Sequence, residues 1–170
     1  MALNIEIKAR CKNPDTIKKI LEEQGADFRG IDHQIDTYFK VSNGRLKLRE
    51  GNIEHSLIQY HRPNQAGPKK SDYILYHPQP NSSLKELLTK ANGVLVVVDK
   101  FRSIYCIDNV KFHVDEVKDL GSFMEIEVID MEDSKDEKKL LAQCQHYMSL
   151  LDISDNDLIK NSYSDLILEQ

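Results

Sequence analysis

The sequence predicts an α+β domain built mainly from antiparallel strands. Short segments of period-two alternation recur along the chain, turn signals rich in Gly, Asn, Asp and Pro separate them, and only a few stretches carry helical periodicity. So much strand, with so few helices to cover it, implies a sheet that curves or closes on itself.

Residues 2–10 alternate apolar Leu3, Ile5, Ile7 and Ala9 with polar Asn4, Glu6, Lys8 and Arg10, a strand with one dry face and one polar face. Asn13 and Pro14 then open a helix with the apolar stripe Ile17, Ile20 and Leu21, and Gly25 ends it. His33–Val41 reads as a strand entering the hairpin turn Ser42-Asn43-Gly44, with Arg45–Glu50 as its partner up to Gly51-Asn52. Glu54–Arg62 runs to Pro63, a polar loop spans Asn64 to Lys70, and another strand covers Asp72–His77. Ser83-Leu84-Lys85-Glu86 has the form of a capping box for a short helix ending near Asn92-Gly93. Val94–Ile107 is a long strand, Asp108-Asn109 a turn, and Val110–Val117 its partner; Ser122–Met131 follows Gly121. A second capping box, Ser134-Lys135-Asp136-Glu137, opens a helix to about Leu151, with Leu140, Leu141, Cys144, Tyr147, Met148 and Leu151 as its stripe. The tail from Asp155 to Gln170 reads as one last short helix carrying Tyr163.

With 170 residues and no linker, repeat or low-complexity stretch, the chain is expected to be a single domain over 1–170. A net charge of −5 excludes a general attraction to nucleic acid or an anionic membrane, so any anionic ligand must meet a local basic cluster. Cys11, Cys106 and Cys144 are odd in number and widely spaced, which suits neither a disulfide framework nor a CxxC site. The chain start lacks the apolar region of a signal peptide and no stretch approaches membrane-spanning length, so the expected compartment is the reducing cytoplasm. Base rates for soluble proteins favour a homodimer if the chain assembles at all.

The charges fall by face. In Arg45-Leu46-Lys47-Leu48-Arg49 three cations share one side and two leucines the other; in Phe123-Met124-Glu125-Ile126-Glu127 two carboxylates share a side. Lys100 and Arg102 share a face, as do Lys111, His113 and Asp115, and Glu6 and Lys8. Taken strand by strand, an open sheet with its charges in solvent accounts for this. Against it, the charges are partly segregated by sign, and the helices need apolar ground to pack on. If the apolar faces point out to the helices, a closed barrel has a charged interior, which is costly unless the charges pair or bind something charged. A polyphosphate with divalent cations satisfies both sets: Arg and Lys bind phosphate oxygens, and carboxylates hold Mg²⁺ or Mn²⁺. No GxxxxGK[ST] or GxGxxG motif is present, so side chains rather than a backbone cradle would have to bind phosphate.

At these residues the chain resembles the CYTH family, the triphosphate tunnel metalloenzymes, which include class IV adenylyl cyclases, thiamine triphosphatases and inorganic tripolyphosphatases. The family's opening ExExK strand corresponds to Asn4-Ile5-Glu6-Ile7-Lys8. Further matches are Asp36-Thr37-Tyr38-Phe39, Arg45 to Arg49, Lys100-Phe101-Arg102 through Tyr105, Phe112 to Asp115, Leu120-Gly121, Glu125-Ile126-Glu127 and Ser162-Tyr163. The resemblance implies an eight-stranded antiparallel closed β-barrel, a tunnel with flanking α-helices. It implies that Glu6, Glu125 and Glu127 hold Mg²⁺ or Mn²⁺ with Asp115 assisting, and that Lys8, Lys47, Arg49, Lys100 and Arg102 grip phosphates. Glu6, Lys8, Glu125 and Glu127 would then be the catalytic set. His113, on the face of Asp115, is a further candidate phosphate contact.

The implied substrate is a small triphosphate, with ATP converted to cyclic AMP and pyrophosphate as the first reading. Hydrolysis of tripolyphosphate or thiamine triphosphate is the second, and a nucleotide- or polyphosphate-binding module without turnover the third. The chain departs from the family pattern at two places. The first Glu of ExExK is Asn4, and the strand before Pro63 carries Tyr60-His61-Arg62 where many relatives have a lysine, leaving Arg62, or Lys69 and Lys70, to substitute. Cys106 and Tyr38, Tyr60, Tyr73 and Tyr76 are expected to be packing residues.

Overall fold

Eight antiparallel strands close into a barrel in a computed structural model that describes residues 2–170. The strands are β1 (Ala2–Arg10), β2 (Asp27–Phe39), β3 (Arg45–Glu50), β4 (His55–His61), β5 (Lys69–Tyr76), β6 (Val94–Ile107), β7 (Val110–Val117) and β8 (Gly121–Ile129). Their order around the barrel is β1-β5-β4-β3-β2-β6-β7-β8, and β8 pairs with β1 to complete it. Most neighbours are hairpin partners in sequence, as short turns dictate. The pairings β1–β5, β2–β6 and β1–β8 are the long-range ones that make the closure. No helix among the described residues is long and apolar enough to cross a membrane.

Period two sets the packing. Leu3, Ile5, Ile7 and Ala9 of β1 point outward with Val110, Phe112 and Val114 of β7 and Met124, Ile126 and Val128 of β8. Helix α1 (Pro14–Glu23) covers this wall with Ile17 and Leu21, and α3 (Glu137–Leu150) covers it with Leu140 and Cys144. The hydrophobic core therefore lies between the barrel's outside and its helices. At about 25 cal/mol per Å² removed from water, this one-sided layer is the main apolar stabilisation of the fold. It also leaves the polar faces nowhere to point but inward. A smaller cluster closes one end of the barrel, where Tyr163 of α4 (Tyr163–Leu168) joins Val98, Val117 and Phe123.

Several boundaries differ from those the sequence predicts. β2 begins at Asp27 instead of His33, carried past a register shift between Phe28 and Gly30. β5 begins at Lys69, so part of the expected polar loop is ladder: Lys69 and Ser71 pair with Glu6 and Asn4. Neither expected capping box forms. Ser83 makes no side-chain cap bond to α2 (Leu84–Asn92), and Asp136, not Ser134, caps α3 by accepting from the Lys139 amide. The reason at Ser134 is competition, because Asp130 takes the Ser134 and Lys135 amides. The tail is a 3₁₀ turn at Asp155–Asp157 and the separate helix α4, which Ser162 and Asp165 cap reciprocally, not one helix. Tyr76 is 60% exposed, and Cys106 is half-buried, its thiol pushed up by burial and so a poor nucleophile.

Candidate functional site

The inward side chains of all eight strands meet in one cavity. The alternation is kept throughout: Asn4, Glu6 and Lys8 on β1, Lys47 and Arg49 on β3, Lys100 and Arg102 on β6, Lys111 and His113 on β7, Glu125 and Glu127 on β8. Ladder register fixes who faces whom. Glu6 sits opposite Glu127 and Lys8 opposite Glu125 across β1–β8, while His113 is opposite Glu125 and Lys111 opposite Glu127 across β7–β8. Directly opposed like charges such as Glu6 and Glu127 are unfavourable unless a cation lies between them.

Three networks hold these groups. In the first, Asp36 accepts both Nε and Nη2 of Arg49 at 2.9 and 2.8 Å and Nζ of Lys100 at 2.6 Å. Burial pushes the Asp36 carboxyl up, but Arg49 and Lys100 outweigh it and hold it well below the usual range. Glu54 extends this network to Arg49 at 3.2 Å and Lys111 at 3.7 Å. In the second, Arg102 forks onto Asp115 with two 2.8 Å bonds, and Tyr163 donates to the same carboxylate at 2.7 Å. Arg102 also reaches Glu125 at 3.3 Å, where Lys8 at 3.5 Å and His113 at 3.3 Å converge. In the third, Arg62 contacts Glu6, and the Asn4 amide donates to Glu127 at 2.9 Å.

Despite the chain's negative charge, the cavity is cation-rich. Lys8, Lys47, Arg49, Arg62, Lys100, Arg102 and Lys111 line it against the carboxylates Glu6, Asp36, Glu54, Glu125 and Glu127. The surplus shows in the lysines: burial lowers Lys8 to about 7 and Lys100 to about 8, and holds Lys47 well below its ordinary value. Three lining residues also hold buried polar atoms without a hydrogen-bond partner: Arg62 Nε and His113 Nε2, which suit an anion, and Asn4 Oδ1. Asn4 Oδ1 is an acceptor beside Glu127, and with Glu6, Glu125 and Glu127 it makes an all-oxygen donor set that fits a hard divalent cation. Among the described residues no three carboxylate, His or Cys side chains converge as a preformed metal cluster, because Arg62 draws Glu6 aside and Lys8, Arg102 and His113 draw Glu125.

These lysines give a pH dependence. Lys8 and Lys100 have folded values near 7 and 8, against about 10.4 in an unfolded chain. Between those limits the unfolded chain binds more protons, so stability rises with pH from about 7 toward 10; below 7 both states are protonated and the full cost of burial remains. Urea titrations of the ligand-free protein at pH 7, 8 and 9 should show this rise. A flat or falling series would mean the lysines are not held as described.

Of the residues the sequence singles out, Glu6, Lys8, Lys47, Arg49, Arg62, Lys100, Arg102, His113, Glu125 and Glu127 all line the cavity. Asp115 does not: it keeps the inward phase of β7 but is fully buried, with its oxygens taken by Arg102 and Tyr163. Lys69 is buried at the closed end on the carbonyls of Gln65 and Lys160, and Lys70 points outward to Glu137. Sequence reasoning left out Asp36, Glu54 and Tyr163 as site groups. Tyr163 seals the tunnel end, its ring 3.6 Å from Lys8 Nζ. Tyr38, Tyr60 and Tyr73, expected only to pack, also face the cavity.

The family model for the CYTH domain matches residues 2–163. A Methanocaldococcus jannaschii protein named as a candidate adenylate cyclase is 23% identical over 175 residues, 96% of this chain and 98% of that one. The PH1012 protein of Pyrococcus horikoshii shares the fold with a TM-score of 0.80 and 26% identity, over 96% of this chain and 98% of its own. A Hippeastrum protein whose structure is described as a candidate adenylyl cyclase with a dominant triphosphatase activity has a TM-score of 0.60 at 12% identity, over 97% and 94% of the two chains. At that identity the last likeness shows the fold alone.

Proposed function

The chain belongs to the CYTH domain family, and on that premise we propose that it is an enzyme converting a small triphosphate inside the barrel with the help of a divalent cation. The observation that carries the reading is the pairing of a cation surplus along the tunnel with an all-oxygen set at Asn4, Glu6, Glu125 and Glu127. The first reaction is the class IV adenylyl cyclase type: the ribose 3′-hydroxyl of ATP attacks the α-phosphorus and pyrophosphate leaves. The M. jannaschii relative's name supports it. The alternative is attack of water on the terminal phosphorus, favoured by the triphosphatase activity in the Hippeastrum description.

When bound, Mg²⁺ or Mn²⁺ at Glu6, Glu125, Glu127 and Asn4 Oδ1 would neutralise phosphate charge and acidify the attacking hydroxyl or water. The chain's own residues do the rest. Lys47, Arg49, Lys100 and Arg102 bind phosphate oxygens and take up the charge that accumulates on the leaving phosphate. Arg62 exchanges Glu6 for a phosphate, and His113 Nε2 gains the acceptor it lacks. Lys8 is reprotonated as an anion enters, since the anion raises the value that burial lowers. Asp115, with both oxygens on Arg102, acts as a positioning residue for that guanidinium.

The test is product analysis. Purified, metal-stripped protein is incubated with ATP, tripolyphosphate or thiamine triphosphate, each with Mg²⁺ or Mn²⁺, and products are separated by chromatography. Cyclic AMP with pyrophosphate establishes the cyclase, and orthophosphate establishes the hydrolase. Binding without any product would reduce the protein to a triphosphate-binding module, and neither binding nor product would refute the proposal.

A further inference from the structure

The three carboxylates of the oxygen set are held in different ways. Glu125 has Lys8, Arg102 and His113 around it, and Glu127 accepts from the neutral Asn4 amide. Glu6 has a single charged partner among the described residues, Arg62, and Arg62 pairs with no other carboxylate there. Lys69 is the ladder partner of Glu6 across β1–β5, but its ammonium bonds instead to the carbonyls of Gln65 and Lys160. Arg62 stands one residue past β4, immediately before Pro63. Its guanidinium holds Glu6 through Nη1, while its Nε is buried without a partner.

A guanidinium in contact with Glu6 acts against a metal ion twice. It occupies the carboxylate oxygen the ion needs, and it repels positive charge from the same spot. A tetrahedral oxyanion competes well for that guanidinium, because it accepts two parallel bonds and so satisfies the bare Nε as well. Once Arg62 has moved to the oxyanion, Glu6 stands opposite Glu127 on the β1–β8 ladder with no cation beside it. Two carboxylates so placed repel each other, and a hard divalent cation between them relieves the repulsion.

We infer that Arg62 is a latch on the cation site: it withholds Glu6 from a divalent cation until an oxyanion draws Arg62 away, so that cation and anion each tighten the other's binding. This rests on the proposed cation site and adds the condition under which that site fills. Without an anion the barrel holds a divalent cation weakly, and by linkage the cation strengthens anion binding by the same factor.

Titration with Mn²⁺, read by electron paramagnetic resonance of the free ion, tests this without turnover. Sulfate serves as the anion because it chelates Mn²⁺ weakly, whereas a triphosphate would bind the ion in solution; chloride at equal ionic strength is the reference. Sulfate should tighten Mn²⁺ binding to the intact protein about tenfold, within the usual range of couplings between sites. Arg62→Met should bind Mn²⁺ about tenfold tighter than the intact protein without sulfate, and sulfate should then change its affinity by less than about twofold. A gain of affinity is not a result that misfolding gives. Lys111→Met removes a cavity cation that pairs with Glu54, outside the oxygen set, and should keep the sulfate effect. Mn²⁺ binding that sulfate leaves unchanged in the intact protein overturns the latch while leaving a cation site. The same holds if the sulfate effect survives in Arg62→Met, or if Lys111→Met abolishes it equally. Absence of Mn²⁺ binding from the intact protein with sulfate and from Arg62→Met overturns the cation reading itself.

Discussion

Glu125→Gln is expected to lower turnover of the chain's triphosphate substrate by about 10²- to 10³-fold, the scale of losing one preorganised electrostatic group in a water-excluded site. Glu125 is the carboxylate on which Lys8, Arg102 and His113 converge, and it is a member of the oxygen set proposed above to hold a divalent cation. Burial pushes its carboxyl up, yet Arg102 and Lys8 hold it well below the usual range, so it is ionised at any pH at which the protein is assayed. The amide keeps the shape and removes the charge. Lys8 loses the partner that raises its pKa and becomes more readily neutral. Steady-state kinetics beside circular dichroism and a melting curve would separate this from unfolding. Near-normal turnover in a folded variant would remove Glu125 from the site.

Asp115→Asn carries the largest expected loss of stability, about 3–5 kcal/mol, because it leaves a buried guanidinium without its main counter-charge. Arg102 and Asp115 are 3% and 0% exposed and joined by two bonds. For a chain of this size the loss corresponds to a melting temperature lower by about 6–20 °C. Replacing both partners, as Asp115→Asn with Arg102→Met, should recover much of that loss, since removing a buried pair costs far less than breaking it. A single variant as stable as the parent would show that Glu125 alone suffices to hold Arg102.

How far the sequence discloses this depends on the kind of signal. Alternation is a local property, so the charged faces of Arg45 to Arg49 and Glu125 to Glu127 are readable from the strands themselves. Which face is concave is not local: it depends on α1 and α3 packing over the apolar side, and here the helical stripes around Leu21 and Leu140 tip the reading toward a barrel. Glu54 keeps the inward phase of Ser56, Ile58 and Tyr60, but it stayed hidden because that face carries no other charge until Arg62. Its place is set by buried Asp32, which accepts the backbone amides of Ile53 and Glu54 at 2.8 and 3.0 Å. Asp115 has the right phase but the wrong neighbours for the role its family position suggests, and a partner 13 residues away in sequence takes its oxygens. Capping motifs misled for a related reason. A box can be written in the sequence at Ser134 and still lose its amides to Asp130. Lys69 was lost in a polar run that resembles a loop, and only the long-range pairing with β1 makes it strand.

On the proposed function, the surplus of cations inside the barrel makes the ligand a component of the folded state. The ligand-free chain holds lysines that burial drives toward neutrality, a cost that an entering polyanion removes. A polyphosphate that binds only the closed barrel adds about 2.7 kcal/mol of stability at a hundredfold excess over its Kd. Resistance to proteolysis would then follow the supply of substrate. A cell rich in the ligand would keep more of this protein than one that has run short, with no change in its synthesis.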